Sequence, residues 1–404
     1  MRGPSPDPPP RVTGTLATFG RVARTSGPLW ACARALDTVV PFLGAQRLWR
    51  PRIVPAALLA RQAASILRAW GLPERHVDMT VTRMLYADLR GIDSHGCCML
   101  PFYDLLRAEG ALNPTPEIAV IREDATTALI DGDRGLGHIV ATVAMEKAID
   151  KCRVSGVGVA AVRNSGHYGA AGAYAAMAAE HGFIGVATTS TPTPSVVPTF
   201  ARAPLLGTNP IAIAAPAARS RPFLLDMATS TVSVGKLLDR WRQGRRIPYG
   251  WALDDRGRVT RRGRTAARHR RLAPLGGDPE GSSYKGYGLA TAVEILSAVL
   301  PGIPLRGGGL GRRTEVGHCF LALDPGKFRA PDAFLEDVDS LLDGLRAAEP
   351  LDARQPVLVP GDPEQACLAR RTASGIPLAR GVFEDIRAVA LDSGVPFILE
   401  TGAP

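Results

Sequence analysis

From residue 53 onward, apolar positions recur at helical spacing. Residues 55–70 predict an amphipathic helix, with Pro55 at its start and Gly71 past its end. A second helix is expected over 74–89, closed by Gly91, and a third follows Pro101 and ends near Gly110. Then the period shortens. Residues 118–122 and 127–130 alternate as the two strands of a hairpin. A helix over 139–154 leads to a strand at 157–162, a glycine-rich loop and an alanine-rich helix over 170–181. Short strands follow at 184–189, 211–215 and 223–225, then a helix over 287–300 and a strand at 319–323. The chain after Pro331 is again helical. The pattern predicts an α/β fold of α+β-like character. A central mixed-sheet domain, residues 116–324, is inserted in a helical domain formed by both chain ends, residues 53–115 and 325–404. Residues 1–52 read as a poorly ordered basic extension.

Composition narrows the class. With 404 residues and 46% hydrophobic content, the chain has enough apolar material for a sizeable core. Aromatics are only 6%, so Ala, Val, Leu and Ile must build that core. The net charge of +10 is uneven. Residues 1–50 hold seven arginines against Asp7 and Asp37, and residues 239–271 are also arginine-rich. Neither stretch interleaves aromatics for base stacking, so both read as solvated surface rather than nucleic-acid contacts. The six cysteines form no Cys-x-x-Cys pair, which suits a reducing compartment and no structural zinc. There is no apolar run long enough for a membrane span and no h-region for secretion. A cytoplasmic location is expected.

The candidate chemistry lies in four segments. Gly156-Val157-Gly158 resembles a Rossmann fingerprint in spelling, but the residues after it belong to a strand and no helix opens there. The next loop, 163–172, is glycine-rich and precedes a helix, so free N–H groups can meet an anion, and His167 stands at its lip. Asp93-Ser94-His95-Gly96 separates two apolar helices. It reads either as a helix cap or as an acid/base histidine oriented by Ser94. Asp226 follows a strand and reads either as an N-cap or as a partner for imidazolium. Lys285 enters a helix beside glycines, either as a surface lysine or as a cation for phosphate.

Taken in order, these segments and others resemble one family. The stretches are 88–96, 156–174, 206–210, 225–230, 247–251, 274–277, 284–288, 316–318 and the closing Pro360-Gly361. They resemble the malate/L-lactate dehydrogenase-like family, which lacks a Rossmann fold, over residues 53–397. The resemblance implies a non-Rossmann cofactor domain and hydride transfer between NAD or NADP and a 2-hydroxy/2-oxo acid or related imine. A homodimer acting on a small molecule is also implied. Ser94, His95 and Asp226 match a proton relay assigned in some members, and His167 matches the acid/base histidine of others. The cofactor is expected against His167, Tyr168, Gly169, Thr191, Asp226, Met227, Ala228 and Lys285. The substrate is expected against Tyr103, Thr208, Asn209 and Arg163.

One departure stands out. Many members carry an arginine three residues after Ser-His-Gly, and here Met99 holds that place. A thioether cannot make a bidentate contact to a carboxylate. Either another cation such as Arg163 or Arg107 does the job, or the substrate is less acidic or larger. Two other readings compete with the oxidoreductase. One is an inactive relative that only binds; the other is a metal-dependent hydrolase or lyase using His95, His167 and Asp226.

Overall fold

The computed structural model describes residues 51–242, 245–304 and 315–400. Of the basic extension expected over residues 1–52, residues 1–50 lie outside the described residues, and Arg52 is already part of a strand. The first structured element, β1 (Arg52–Val54), pairs antiparallel with β12 (Ile376–Leu378), so the two chain ends meet at once. Three helices follow: α1 (Ala56–Ala69), α2 (Glu74–Leu89) and α3 (Leu100–Ala108). α1 buries Leu58, Leu59, Gln62, Ala63, Ile66 and Leu67, the i, i+4 stripe its spacing predicts. Gln62 is buried because its amide is used: it donates to the Pro396 carbonyl at 3.2 Å and accepts from Ile398 N–H at 2.7 Å. The C-terminal helix α11 (Arg380–Asp392) adds Phe383 and Ile386 to the same core.

The central sheet has seven strands in the order β2-β3-β4-β11-β5-β6-β7. These are β2 (Ala119–Glu123), β3 (Thr127–Gly135), β4 (Val157–Ser165), β5 (Ile184–Thr189), β6 (Ile211–Ala215), β7 (Phe223–Met227) and β11 (Val316–Leu323). Only β3 and β4 run parallel, joined by the long helix α4 (Gly137–Ser155). α4 and α5 (Gly172–Glu180) pack on the sheet through alanines, and Gly158 makes the approach of α4 possible. A Cβ there would lie 1.9 Å from the Ala148 carbonyl oxygen, so its glycine serves helix–strand packing, not a phosphate turn. Leu136 and Ile139, at the start of α4, join the helical core and lock the two layers together.

Two features escaped the sequence pattern. A three-stranded sheet, β10-β8-β9, is made of two-residue strands: β8 (Ala252–Leu253), β9 (Val259–Thr260) and β10 (Arg271–Leu272). It packs with α6 (Val234–Arg242) and α7 (Gly263–His269). The helix expected over 287–300 starts earlier, as α8 (Tyr284–Glu294), and ends in a π-helical turn, Ile295–Val299. Helices α9 (Pro331–Arg346) and α10 (Asp362–Ser374) complete the C-terminal half. Among the described residues no helix is long and apolar enough to cross a membrane.

Candidate active site

The loop carrying His95 is held by charge and close packing. Asp88, buried at the end of α2, accepts the Cys97 N–H at 2.9 Å. Gly96 lies flat against that carboxylate: an added Cβ would stand 1.9 Å from Asp88 Oδ1. Arg371 of α10 donates to the Asp88 carbonyl and to both Asp93 oxygens. Asp93 therefore serves an arginine clamp from the other chain end. Burial pushes the Asp88 carboxyl up to about 6.

Ser94 Oγ lies 2.7 Å from His95 Nδ1. The His95 ring is half-buried, and desolvation lowers its pKa from the usual histidine value. His167 stands behind it, with ring centroids 5.5 Å apart. Its Nδ1 meets the buried Tyr103 hydroxyl at 2.8 Å and accepts the Gly169 N–H at 3.3 Å. The backbone N–H can only donate, so Nδ1 is an acceptor and neutral His167 carries its proton on Nε2. Burial, with His95 and His138 close by, holds His167 well below the ordinary histidine range. His138 is wholly buried, packs edge-on to Tyr103, and is pushed down to about 3.

His95 opens onto a cavity of roughly 780 Å³ between the helical layer and the edge of the sheet. Its walls come from the end of α2, the 169–171 turn, β7 with the segment after it, Lys236 of α6, and residues 358–364 before and within α10. Asp226 was expected to cap a following helix or to steady an imidazolium. It lies within β7 instead, and Oδ2 accepts the N–H of Gly172, first residue of α5, at 2.7 Å. It thus serves a helix start 54 residues earlier in the chain. The surrounding cavity wall desolvates its carboxyl in part and raises it to about 6, against the lowering effect of that N–H.

The other expected residues divide clearly. Ser94, His95, Gly169, Thr208, Asp226, Met227 and Ala228 line this cavity. His167, Tyr168, Tyr103, Thr191, Asn209, Arg163 and Lys285 do not. Tyr168 is buried flat on His318, centroids 4.6 Å apart, and His318 is bound on both ring nitrogens by Thr189 and Ser165. Asn209 is fully buried, accepting from Thr191 N–H and donating to the Ala290 carbonyl and Glu294. That knot presents Thr208. Lys285 is exposed on α8. Arg163 pairs with Asp131 at 3.1 Å and Arg107 with Asp104 at 2.8 Å, so each already has a carboxylate partner. Met99 packs on the helical core. Tyr86, Lys236 and Glu364, which no sequence segment singled out, and Arg90, which entered only within the 88–96 stretch, are all on the cavity wall. Tyr86 and Arg90 stand four residues apart, a helical-face spacing that was there to be read.

The cavity fits a nucleotide cofactor in size and in its wall. Its volume is within the roughly 300–1,000 Å³ typical of ligand sites. Gly169 and Gly361 both hold positive φ and keep the wall thin, with small or hydroxylated Ala170, Ala171, Ala228, Ser230, Thr231 and Ser233 around them.

The fold is a mixed sheet with a histidine on a nucleotide-sized cavity, and among the described residues no Rossmann turn opens a helix. The malate/L-lactate dehydrogenase family model matches residues 54–387. The chain belongs to that family, whose members are nicotinamide-dependent dehydrogenases acting on CH–OH groups. It is 38% identical to a malate dehydrogenase of Pyrococcus horikoshii, over 85% of this chain and 96% of the relative. It is 36% identical to an L-sulfolactate dehydrogenase of Methanocaldococcus jannaschii, over 82% and 94%. Among solved structures, malate dehydrogenase from Entamoeba histolytica superposes with a TM-score of 0.80 at 30% identity, over 86% of this chain and 99% of that one.

Proposed function

We propose that the protein interconverts a 2-hydroxy acid and its 2-oxo acid, or a related cyclic imine acid, with NAD or NADP, and that His95 moves the proton. The observation that carries the reading is the Ser94–His95 pair on the wall of the cavity that also holds Asp226. Bound there, the nicotinamide would supply or take the hydride. The 169–171 turn and the Asp226–Ala228 segment would hold it, with Lys236 as a cation for its phosphates.

The chain's own residues supply the rest. With Nδ1–H donated to Ser94 Oγ, neutral His95 keeps a free lone pair on Nε2, the arrangement of a general base. Protonated, it donates to the oxygen or nitrogen where negative charge builds during reduction. His167 carries its proton on Nε2 and acts as a hydrogen-bond donor behind it. Because burial lowers His95, the free protein holds it mostly neutral at pH 7. The oxidation rate is therefore level at neutral pH and falls on acidification below the lowered pKa. The reduction rate, at fixed cofactor and in terms of kcat/KM, falls as pH rises above it.

The test is a screen of 2-oxo acids and cyclic imines with NADH and with NADPH. Turnover of at least one, lost in His95→Gln, supports the reading. Full turnover in His95→Gln transfers the proton role to His167. The protein as a homodimer in the cytoplasm is part of the same proposal, checked by its mass in solution and by fractionation.

A further inference from the structure

Among the described residues, the arginine on the cavity wall, Arg90, makes no ion pair with a carboxylate. Arg90 closes α2, and its guanidinium lies flat over the Tyr86 ring with Cζ 3.7 Å from the centroid. One Nη reaches the Tyr86 carbonyl at a long 3.5 Å. Nε is buried with no hydrogen-bond acceptor, and among the described residues no carboxylate lies within ion-pair distance of the group. The Tyr86 hydroxyl beside it is also buried and unpartnered. The neighbouring arginines are all committed. Arg83 donates to Thr142 and the Ala173 carbonyl, Arg371 holds Asp88 and Asp93, and Arg107 pairs with Asp104.

A buried guanidinium Nε–H with no acceptor is costly, and the half-buried head it belongs to faces the cavity, where an anion can meet it. Its stem is fixed by the aromatic face and its backbone by the helix end, so little freedom remains to be lost on binding. It stands five residues before His95, across a loop that Arg371 clamps at Asp93, which fixes the spacing between charge and proton donor. Lys236, the other cation on the wall, is an exposed point charge on a different element.

Resting on the function proposed above, we infer that Arg90 is the anion-recognition residue of this site, its planar fork taking the carboxylate of the 2-oxo acid. Tyr86 is the platform that orients it and a second donor to the same anion. This makes Arg90 the residue that sets carboxylate specificity in a chain where position 99 is Met.

The experiment compares wild type with Arg90→Met and Arg90→Lys. Oxalate, an unreactive planar dicarboxylate, is titrated by calorimetry, and NADH and NADPH are titrated by fluorescence. Melting temperature controls for folding. Oxalate binding should weaken at least 30-fold in Arg90→Met. In Arg90→Lys, which keeps stem and charge but loses the fork, it should weaken about 10-fold. Dinucleotide affinity should stay within twofold in both. Unchanged oxalate affinity in either folded variant overturns the assignment. Weakened dinucleotide binding with intact oxalate binding overturns it too and assigns Arg90 to a cofactor phosphate. Should Arg90→Met fail to fold, Arg90→Lys decides alone. Failure of the underlying reading looks different: wild type then turns over no 2-oxo acid or imine with either cofactor, whatever Arg90 does.

Discussion

The His95 cavity and the groove beside α6 differ in what surrounds their charges. The groove is an open surface depression of roughly 1,060 Å³, lined by Arg245, Arg246, Arg258, Arg261, Arg262 and Arg264. It holds far more charge than the cavity, yet all six arginines are exposed. Water and salt screen them within about 10 Å at 0.1 M ionic strength. The cavity holds a few ionisable groups walled by Tyr86, Leu224, Leu275 and Val359. There desolvation moves Asp226 to about 6 and lowers His95. Counting charges along the chain points to the groove. Asking which charges lose their water points to the cavity.

The largest effect expected from breaking this contrast is at His95. Its replacement by glutamine should cut turnover roughly 100-fold or more, measured at saturating substrate and cofactor. A loss under threefold would remove His95 from the chemistry.

Next is the packing beneath it. Gly96→Ala forces a methyl onto the Asp88 carboxylate and should destabilise the fold by about 1–3 kcal/mol in urea unfolding. An unchanged midpoint would mean that the Asp88 contact yields freely.

A pH effect follows from the desolvated groups, and its two parts oppose each other. His138 and His318 sit at about 3 in the fold against an ordinary 6.5, so stability is lost as pH falls from 6.5 toward 3. Asp88 and Asp226 sit at about 6 against 3.8, so their protonation favours the fold as pH drops from about 6 to 4. Asp88→Asn removes part of that compensation. Its melting temperature should therefore fall more steeply than the wild type's between pH 6.5 and 4.5, and parallel curves would contradict this balance.

The smallest effect belongs to the groove. Arg261→Gln with Arg262→Gln should leave kcat/KM within about twofold and stability within about 0.5 kcal/mol, because both side chains are exposed. A tenfold loss of activity would show that the groove serves the reaction.

Much of the architecture was legible in the sequence because it rests on periodicity. The stripe of α1, the bounds of α2 and the limits of β5 and β6 follow from spacing alone. The small sheet was not legible, since strands of two residues show no period. The four chemical segments were also visible, but their sorting was not. Lys285 and Asp226 looked alike as polar residues beside a helix or strand end, and both are exposed; Lys285 stands on α8, while Asp226 in β7 faces the cavity and accepts the Gly172 N–H. Arg90 was read only as part of a motif.

By itself the sequence determined most of the longer helices and strands, and that His95, His167 and Asp226 stand in segments able to carry chemistry. Only the tertiary structure decided what each polar group meets. Asp226 touches Gly172, Arg371 reaches Asp88 and Asp93, and Arg90 lies on an aromatic face with no carboxylate partner among the described residues. Those pairings span up to 283 residues of chain. Ionisation and reactivity depend on distance and lost water, and neither is fixed until the layers pack.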